Sequence, residues 1–244
     1  MTSVDELRQY LSRLLGWSNT SAIDNALRSL ELARERRAQL LLCGAGDLVP
    51  IAYALHRRAL GPGTPFIVCD PRRRNTRATV RAPANYVDVE AAFAAAAGGS
   101  LCVRRRRLPD QFTALAERLR SSLEVQYICL DESSLRWLVR PGPIEIPSLL
   151  DRPLDIPRIV DESLLDAFSE LPGSAPLNNQ DRAWLVDSAS TFSDLEKSIA
   201  RLIALRNSDR VSQAAARLGM TAVSLSRWID RRRLPAPVAT VSAA

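Results

Sequence analysis

The sequence predicts an α/β chain: a parallel sheet covered by helices, followed by a small helical subdomain and a closing three-helix module. Three observations carry that expectation. Short, near-continuous apolar runs alternate with helical patterns over the first 146 residues, as buried parallel strands do. Beyond residue 147 those runs stop, and Pro153, Pro157, Pro172 and Pro176 punctuate short helical pieces. Residues 207–234 read as two short helices joined at Gly219, the residue type that takes left-handed backbone without a Cβ penalty. The expected boundaries are 1–146 for the sheet domain, 147–192 for the helical subdomain and 193–234 for the module. A Pro/Ala/Val-rich tail, 235–244, is expected to be disordered, and no internal repeat is visible.

Residues 4–15 place Leu7, Leu11 and Leu14 on one helical face, and residues 21–37 do the same with Ile23, Leu27, Leu30 and Leu32. A strand at 40–43 is stopped by Gly44-Ala-Gly46, with a helix at 50–60 behind it. The second strand, 66–69, follows the turn Gly61-Pro-Gly63. An arginine-rich stretch and a helix at 89–97 precede the third strand, 101–103. A helix at 111–119 leads to the fourth strand, 125–130, and 144–146 makes a short fifth. A further helix is expected at 159–171. Ser193-x-x-Glu196 reads as a capping box opening the module, with Leu195, Ile199, Leu202 and Ile203 on one face. Thr221 is placed to cap the last helix, and Ala214, Ala215, Leu218, Met220, Leu225 and Ile229 form the apolar seam. Three helices with a glycine turn between the last two make a helix-turn-helix.

Charge agrees. Residues 197–234 hold nine basic residues against two acids, a net +7, which leaves about −1 on the remainder of a +6 chain. Phosphate neutralisation requires such an excess. Composition, 46% hydrophobic and 25% charged, is that of a soluble globular protein. No apolar run reaches the ~18 residues of a membrane span and the N-terminus lacks a signal-peptide pattern, so a cytoplasmic location is expected. Cys43, Cys69, Cys102 and Cys129 form no C-x-x-C pair and there is one histidine, His56, so no metal site and no disulfide framework are expected. His56 reads as structural, and Asp131-Glu132 as a solvated loop or helix cap.

Val211-Ser-Gln-Ala-Ala-Ala-Arg-Leu-Gly-Met220 followed by Ser224-Leu-Ser-Arg227 resembles the Fis-type helix-turn-helix that closes the bacterial sigma-54-dependent enhancer-binding proteins. Trp228 and Ala222 stand where that family usually has basic residues. The order of elements over residues 15–206 is similar to the family's AAA+ domain, which implies a sheet of the AAA+/P-loop type with a helical lid. Ala52-Tyr-Ala-Leu-His56 with Pro65-Phe-Ile-Val-Cys69, and Ala96-Ala-Gly-Gly-Ser-Leu-Cys-Val103, carry that resemblance.

The chemically required positions depart from it. A P-loop needs G-x-x-x-x-G-K-[ST], with lysine on the β- and γ-phosphates and the hydroxyl on Mg²⁺. Here Gly44 and Gly46 are followed by Asp47, which would repel a triphosphate, and the only lysine is Lys197. Where the resemblance places acids that hold Mg²⁺, the chain has Arg104 and Arg105, an inverted charge beside which a dication is unfavourable. The family's Gly-Ala-Phe-Thr-Gly-Ala loop is absent between Cys69 and Leu101, and the segment that carries its arginine fingers is shortened, with Arg136 and Arg140 as loose candidates. The expectation is no catalytic residue, no ATP hydrolysis and no nucleotide cofactor.

The expected partner is double-stranded DNA, read by a homodimer or higher oligomer. Thr221, Ala222, Ser224 and Arg227 would face the groove, with Val223 or Ala222 against a thymine methyl, and Arg231, Arg232 and Arg233 would grip phosphates. RNA polymerase or related AAA+ regulators are further partners the resemblance implies. Arg72, Arg73, Arg74 and Arg77 after the second strand, and Arg104 to Arg107 (Arg106 and Arg107 included) after the third, would make a basic rim for an anion if those strands are neighbours. The function expected is sequence-specific regulation of transcription by an ATPase-inactive AAA+-like protein. The alternatives are a divergent ATP-dependent sigma-54 activator and a protein that caps oligomers of intact relatives.

Overall fold

A computed structural model of the chain describes all residues except 1–3, 62, 79–81, 111, 122–123, 133–141, 171–173 and 236–244. Gln111, Arg136, Arg140 and the tail from 236 onward therefore lie outside the described residues. The chain divides into two compact units, Met1–Ser148 and Leu149–Ala244.

The first unit is an α/β layer structure. Helices α1 (Val4–Leu15) and α2 (Thr20–Arg36) precede β1 (Leu40–Gly44), α3 (Val49–Leu60), β2 (Phe66–Cys69), β3 (Ala84–Tyr86), α4 (Val89–Ala95), β4 (Ser100–Arg104), α5 (Phe112–Ser121), β5 (Gln126–Asp131) and β6 (Ile144–Ile146). The strands form one six-stranded sheet in the order β3-β2-β4-β5-β1-β6, and every ladder within it is parallel. Successive residues of β1, β2 and β4 are buried, which requires cover on both faces and explains why these strands read as apolar runs without alternation. On one face Ile67, Cys69, Leu101 and Val103 pack under Ala92 and Ala96 and under Leu115 and Leu119 of α5. Each such leucine or isoleucine contributes about 1.5–3 kcal/mol relative to exposure.

Register sets the site. Cys69 pairs with Val103, Arg104 with Leu130, and Cys43 with Asp131. The carboxyl ends of β1, β2, β4 and β5 therefore come level at one edge of the sheet, and β2 and β4 are direct neighbours. Strand β3 has no counterpart among the sequence expectations. Its three residues, Ala-Asn-Tyr, form no apolar run, and only pairing to β2 makes them a strand.

The second unit is helical: α6 (Ile156–Glu170), α7 (Asn179–Ser188), α8 (Phe192–Arg206), α9 (Val211–Arg217) and α10 (Ala222–Arg232). Helix α7 was not expected, and α6 begins three residues before the expected 159. The capping box at Ser193 is corrected. Thr191, with the extended backbone an N-cap needs, accepts the Asp194 N–H at 3.2 Å, so α8 starts at Phe192 and Ser193 is buried inside its first turn. Helix α8 packs on α6 and α7 and also on α9, so it belongs both to the expected helical subdomain and to the closing module.

Candidate functional site

Two arginine-rich regions are candidates. The first is α9–α10. Helix α9 ends in paired hydrogen bonds, the Met220 N–H to Ala215 O at 3.0 Å and the Gly219 N–H to Ala216 O at 3.1 Å, with Gly219 at φ +65°. This is a Schellman ending, and it requires a residue that tolerates left-handed backbone. Two residues on, Thr221 caps α10 by accepting the Ser224 N–H at 3.2 Å, while its hydroxyl donates to Ser224 Oγ at 2.9 Å. Ala214, Ala215 and Leu225 are buried between the helices, with Leu218, Met220, Trp228 and Ile229 packed around them. The two alanines allow close approach.

That packing turns Thr221, Val223, Ser224, Arg227, Arg231 and Arg233 outward, with Ala222 and Arg232 half-buried at the two ends. Val223 is 60% exposed, an aliphatic side chain left in solvent among polar neighbours. Arg227, Arg231 and Arg233 make no ion pair with a described residue. Not every base of the module is available, however. Arg206 grips the fully buried Asp181 with Nε at 2.9 Å and Nη2 at 2.6 Å, and donates again to Pro235 O at 2.7 Å. Arg201 lies over the Trp228 ring, 5.1 Å from its centroid, and burial together with nearby Arg232 lowers its pKa. Trp228 meets Trp184 edge-on at 6.1 Å, and the Trp184 indole N–H donates to Arg232 O at 3.3 Å. Trp228 thus closes the seam against α7 and α8 instead of reaching outward.

The second region is the carboxyl edge of the sheet. The Asp47 carboxylate folds back onto the start of α3, its Oδ1 accepting the Val49 N–H at 3.2 Å. A helix N-terminus is where an anion is favoured, and here the chain supplies its own. Gly44, just before, admits no larger residue: a Cβ there would lie 2.9 Å from Ile146 O. Arg104 reaches from the end of β4 and bridges two acids, Nη2 to Asp47 Oδ1 at 2.6 Å and Nη1 to Asp70 Oδ2 at 2.9 Å. Asp70 has no exposed surface and also receives Arg107 at 3.1 Å and Arg73 at 3.5 Å. Arg105 pairs with Asp131 and Arg106 with Glu132, both at 2.8 Å.

The two arginine runs do converge here, because β2 and β4 are neighbours. The expected concentrated patch is nonetheless corrected for residues 104–107, each of which meets an acid at this edge. Asp131 and Glu132 are ion-pair partners and not a bare solvated loop. Sequence reasoning missed Asp70 altogether; its signal was a carboxylate placed directly at a strand end and followed, after Pro71, by three arginines.

At the opposite edge His56 is 3% exposed, its Nδ1 2.8 Å from Ser100 Oγ and its Nε2 donating to Thr64 O at 3.0 Å. Ser100 Oγ lies 2.9 Å from Gln126 Oε1. Burial, with the charge of Arg37, holds the imidazole below its ordinary pKa, although the bond to Thr64 O works the other way. The four cysteines are buried thiols, and burial pushes Cys69 up to about 11 and Cys43 up to about 12, well away from nucleophilic use at neutral pH. Among the described residues no cluster of His, Cys, Asp or Glu is placed to hold a metal ion, and no helix is long and apolar enough to cross a membrane.

The unit boundary refines the charge reading. Residues 1–148 hold 21 basic and 15 acidic residues, 149–196 hold 3 and 10, and 197–234 hold 9 and 2, so the three stretches carry +6, −7 and +7. The α/β unit is as basic as the whole chain, and an acidic helical stretch cancels it.

No protein-family profile matches the chain, and no curated protein matches it. Solved structures similar to it include NtrX from Brucella abortus in complex with ATP, 16% identical, covering 93% of this chain and 71% of that one with a TM-score of 0.48. NtrX in complex with ADP is 13% identical over 94% and 72%, with a TM-score of 0.49. A third NtrX structure is 14% identical over 95% and 72%, with a TM-score of 0.46.

Proposed function

We propose that this chain is a sequence-specific DNA-binding regulator of transcription, in which α9 and α10 act as a helix-turn-helix and α10 enters the major groove. One observation carries the reading. A capped helix, locked across a Schellman turn by an alanine seam, presents Thr221, Val223, Ser224 and Arg227 outward, with Arg231 and Arg233 one turn further on. Those side chains suit base edges and thymine methyls near the helix start and phosphates near its end. A single α10 covers only a few base pairs, so two copies on adjacent half-sites are needed for a site long enough to be specific.

The α/β unit, in this reading, is an AAA+-like domain that does not hydrolyse ATP. Support comes from Asp47 at the start of α3 and from Arg104 across it: a triphosphate would meet a carboxylate, and a dication a guanidinium. The test is selection of bound duplexes from a random pool by the full chain, together with an ATPase assay in Mg²⁺. A recovered palindromic motif that Arg227→Ala weakens, with no turnover, is the expected outcome. Failure to enrich any sequence, or ATP turnover above background, would overturn the corresponding half.

A further inference from the structure

The loop after β2 holds arginines the acids do not reach. Arg72, Arg74 and Arg77 are exposed and make no ion pair with a described residue. The loop that carries them is also pinned. Asp70 Oδ1 accepts the Arg72 N–H at 3.1 Å, and the buried Asn85 amide donates to Asp70 O at 3.3 Å and to Arg74 O at 3.1 Å. Both backbone groups of Asn85 bond to Thr76, the Thr76 N–H to Asn85 O at 2.9 Å and the Asn85 N–H to Thr76 O at 3.0 Å. Strand β3 turns those groups away from β2, so the loop wraps the outer edge of the sheet and satisfies it.

The outcome is a pinned backbone carrying exposed arginines beside a carboxylate that already orders Arg73 and Arg107. Asp70 takes up Arg73 and Arg107, which leaves Arg72, Arg74 and Arg77 as a string of cations over six residues of the loop. Such a string fits a ligand with repeating negative charge. Exposed residues 72–78 read Arg-Arg-Arg-Asn-Thr-Arg-Ala, with no aromatic to stack an unpaired base and no aliphatic anchor for a peptide. The exposed aliphatic beside the loop is Val87, whose N–H donates to Asn75 Oδ1 at 2.7 Å, and one such side chain does not make an apolar anchor; repeated cations without an apolar patch favour a phosphodiester backbone presented by a duplex.

We infer that the pinned Arg72–Arg77 loop is a second, sequence-independent binding surface for the phosphate backbone of duplex DNA, carried by the α/β unit and distinct from α10. It contributes affinity and salt dependence, not base reading.

The experiment uses the full chain, a fluorescent 30-bp duplex of arbitrary sequence and a salt series. Arg72→Gln, Arg74→Gln and Arg77→Gln are made singly and together, and an α10 double variant, Arg227→Gln with Arg231→Gln, is run in parallel. The triple variant should keep its thermal midpoint and lower the log–log salt slope by about 2–3, at ~0.9 per phosphate contact, with each single change contributing about one. An unchanged slope in a folded triple variant overturns the inference. Equal binding to a single strand of the same sequence overturns the duplex assignment. Binding of polyglutamate that the triple variant loses would overturn it in favour of an acidic protein partner. Because the α10 variant is read separately, a null there with an effect at the loop removes Arg231 as a phosphate contact of α10 and leaves this inference standing; the groove reading is tested apart from it, on the selected duplex.

Discussion

Arginines 104–107 and the arginines of α10 look alike in sequence, yet the fold treats them in opposite ways. At the carboxyl edge of the sheet, register brings Asp47, Asp70, Asp131 and Glu132 level with the run, and each arginine from 104 to 107 meets an acid. On α10 the nearest acid in sequence, Asp230, is exposed, and Arg227, Arg231 and Arg233 stay unpaired among the described residues. The lesson is about topology. Formal charge counts side chains, whereas available charge depends on which strand ends the sheet order aligns. Arg206 makes the contrast inside one unit, since Asp181 holds it largely buried whereas Arg227 is exposed.

The largest effect should come from breaking the internal pairs. Asp181→Ala leaves the Arg206 guanidinium, 17% exposed, without its counter-ion, a loss of about 3–5 kcal/mol. Urea denaturation should show the second unit unfolding early. A midpoint equal to wild type would mean Arg206 belongs with the surface arginines, and the contrast would fail. Asp70→Ala should cost less, about 3 kcal/mol, because Arg104 keeps Asp47 and the other two guanidiniums are partly solvated.

How much of this was legible follows the same divide. Strands β1, β2, β4 and β5 announced themselves because each is largely buried on both faces and so carries an apolar run without alternation, as in Leu101–Val103 and Ile128–Leu130. The α9–α10 turn was legible because Gly219 and Thr221 solve local backbone problems with local chemistry. Strand β3 and the Asp70 cluster were not. Each exists only through partners distant in the chain, β2 for the strand and Arg104 and Arg107 for the carboxylate. The start of α8 slipped by two residues because Ser193 and Thr191 are both good caps, and burial of Ser193 decides between them.

On the exposed side the signs invert: stability should hold while binding suffers. Arg227→Ala should leave folding within about 0.5 kcal/mol, since the residue is exposed and makes no ion pair with a described residue. It should cost about 1–3 kcal/mol in affinity for a selected duplex, read by fluorescence anisotropy. A loss of the same size on every sequence would make Arg227 a phosphate contact. The amino edge of the sheet gives a pH handle on the first unit alone. Burial lowers the His56 pKa in the folded chain, so the unfolded chain binds the extra proton more readily. The contribution to stability is whole above about pH 6.5, the unfolded value, and is lost as pH falls through the folded one. His56→Gln should flatten that dependence in thermal melts between pH 7 and pH 5.

The smallest effect tests whether the α9–α10 geometry is as locally determined as its sequence suggests. Thr221→Ala removes the acceptor of the Ser224 N–H and should cost about 1 kcal/mol, largely restored by Thr221→Ser. Gly219→Ala meets no atom within 4 Å, so space is not the obstacle there. The cost is the left-handed backbone at φ +65°, again about 1 kcal/mol, and Gly219→Asn should recover part of it. Neither residue shares a hydrogen-bond partner with Asp181, which is held by Arg206, so their effects should add to that of Asp181→Ala within about 0.5 kcal/mol. A strong coupling would instead mean that α7 and α8 hold the turn in place, which would move the determinant of α10's outward face from two local residues to the Trp184–Trp228 contact.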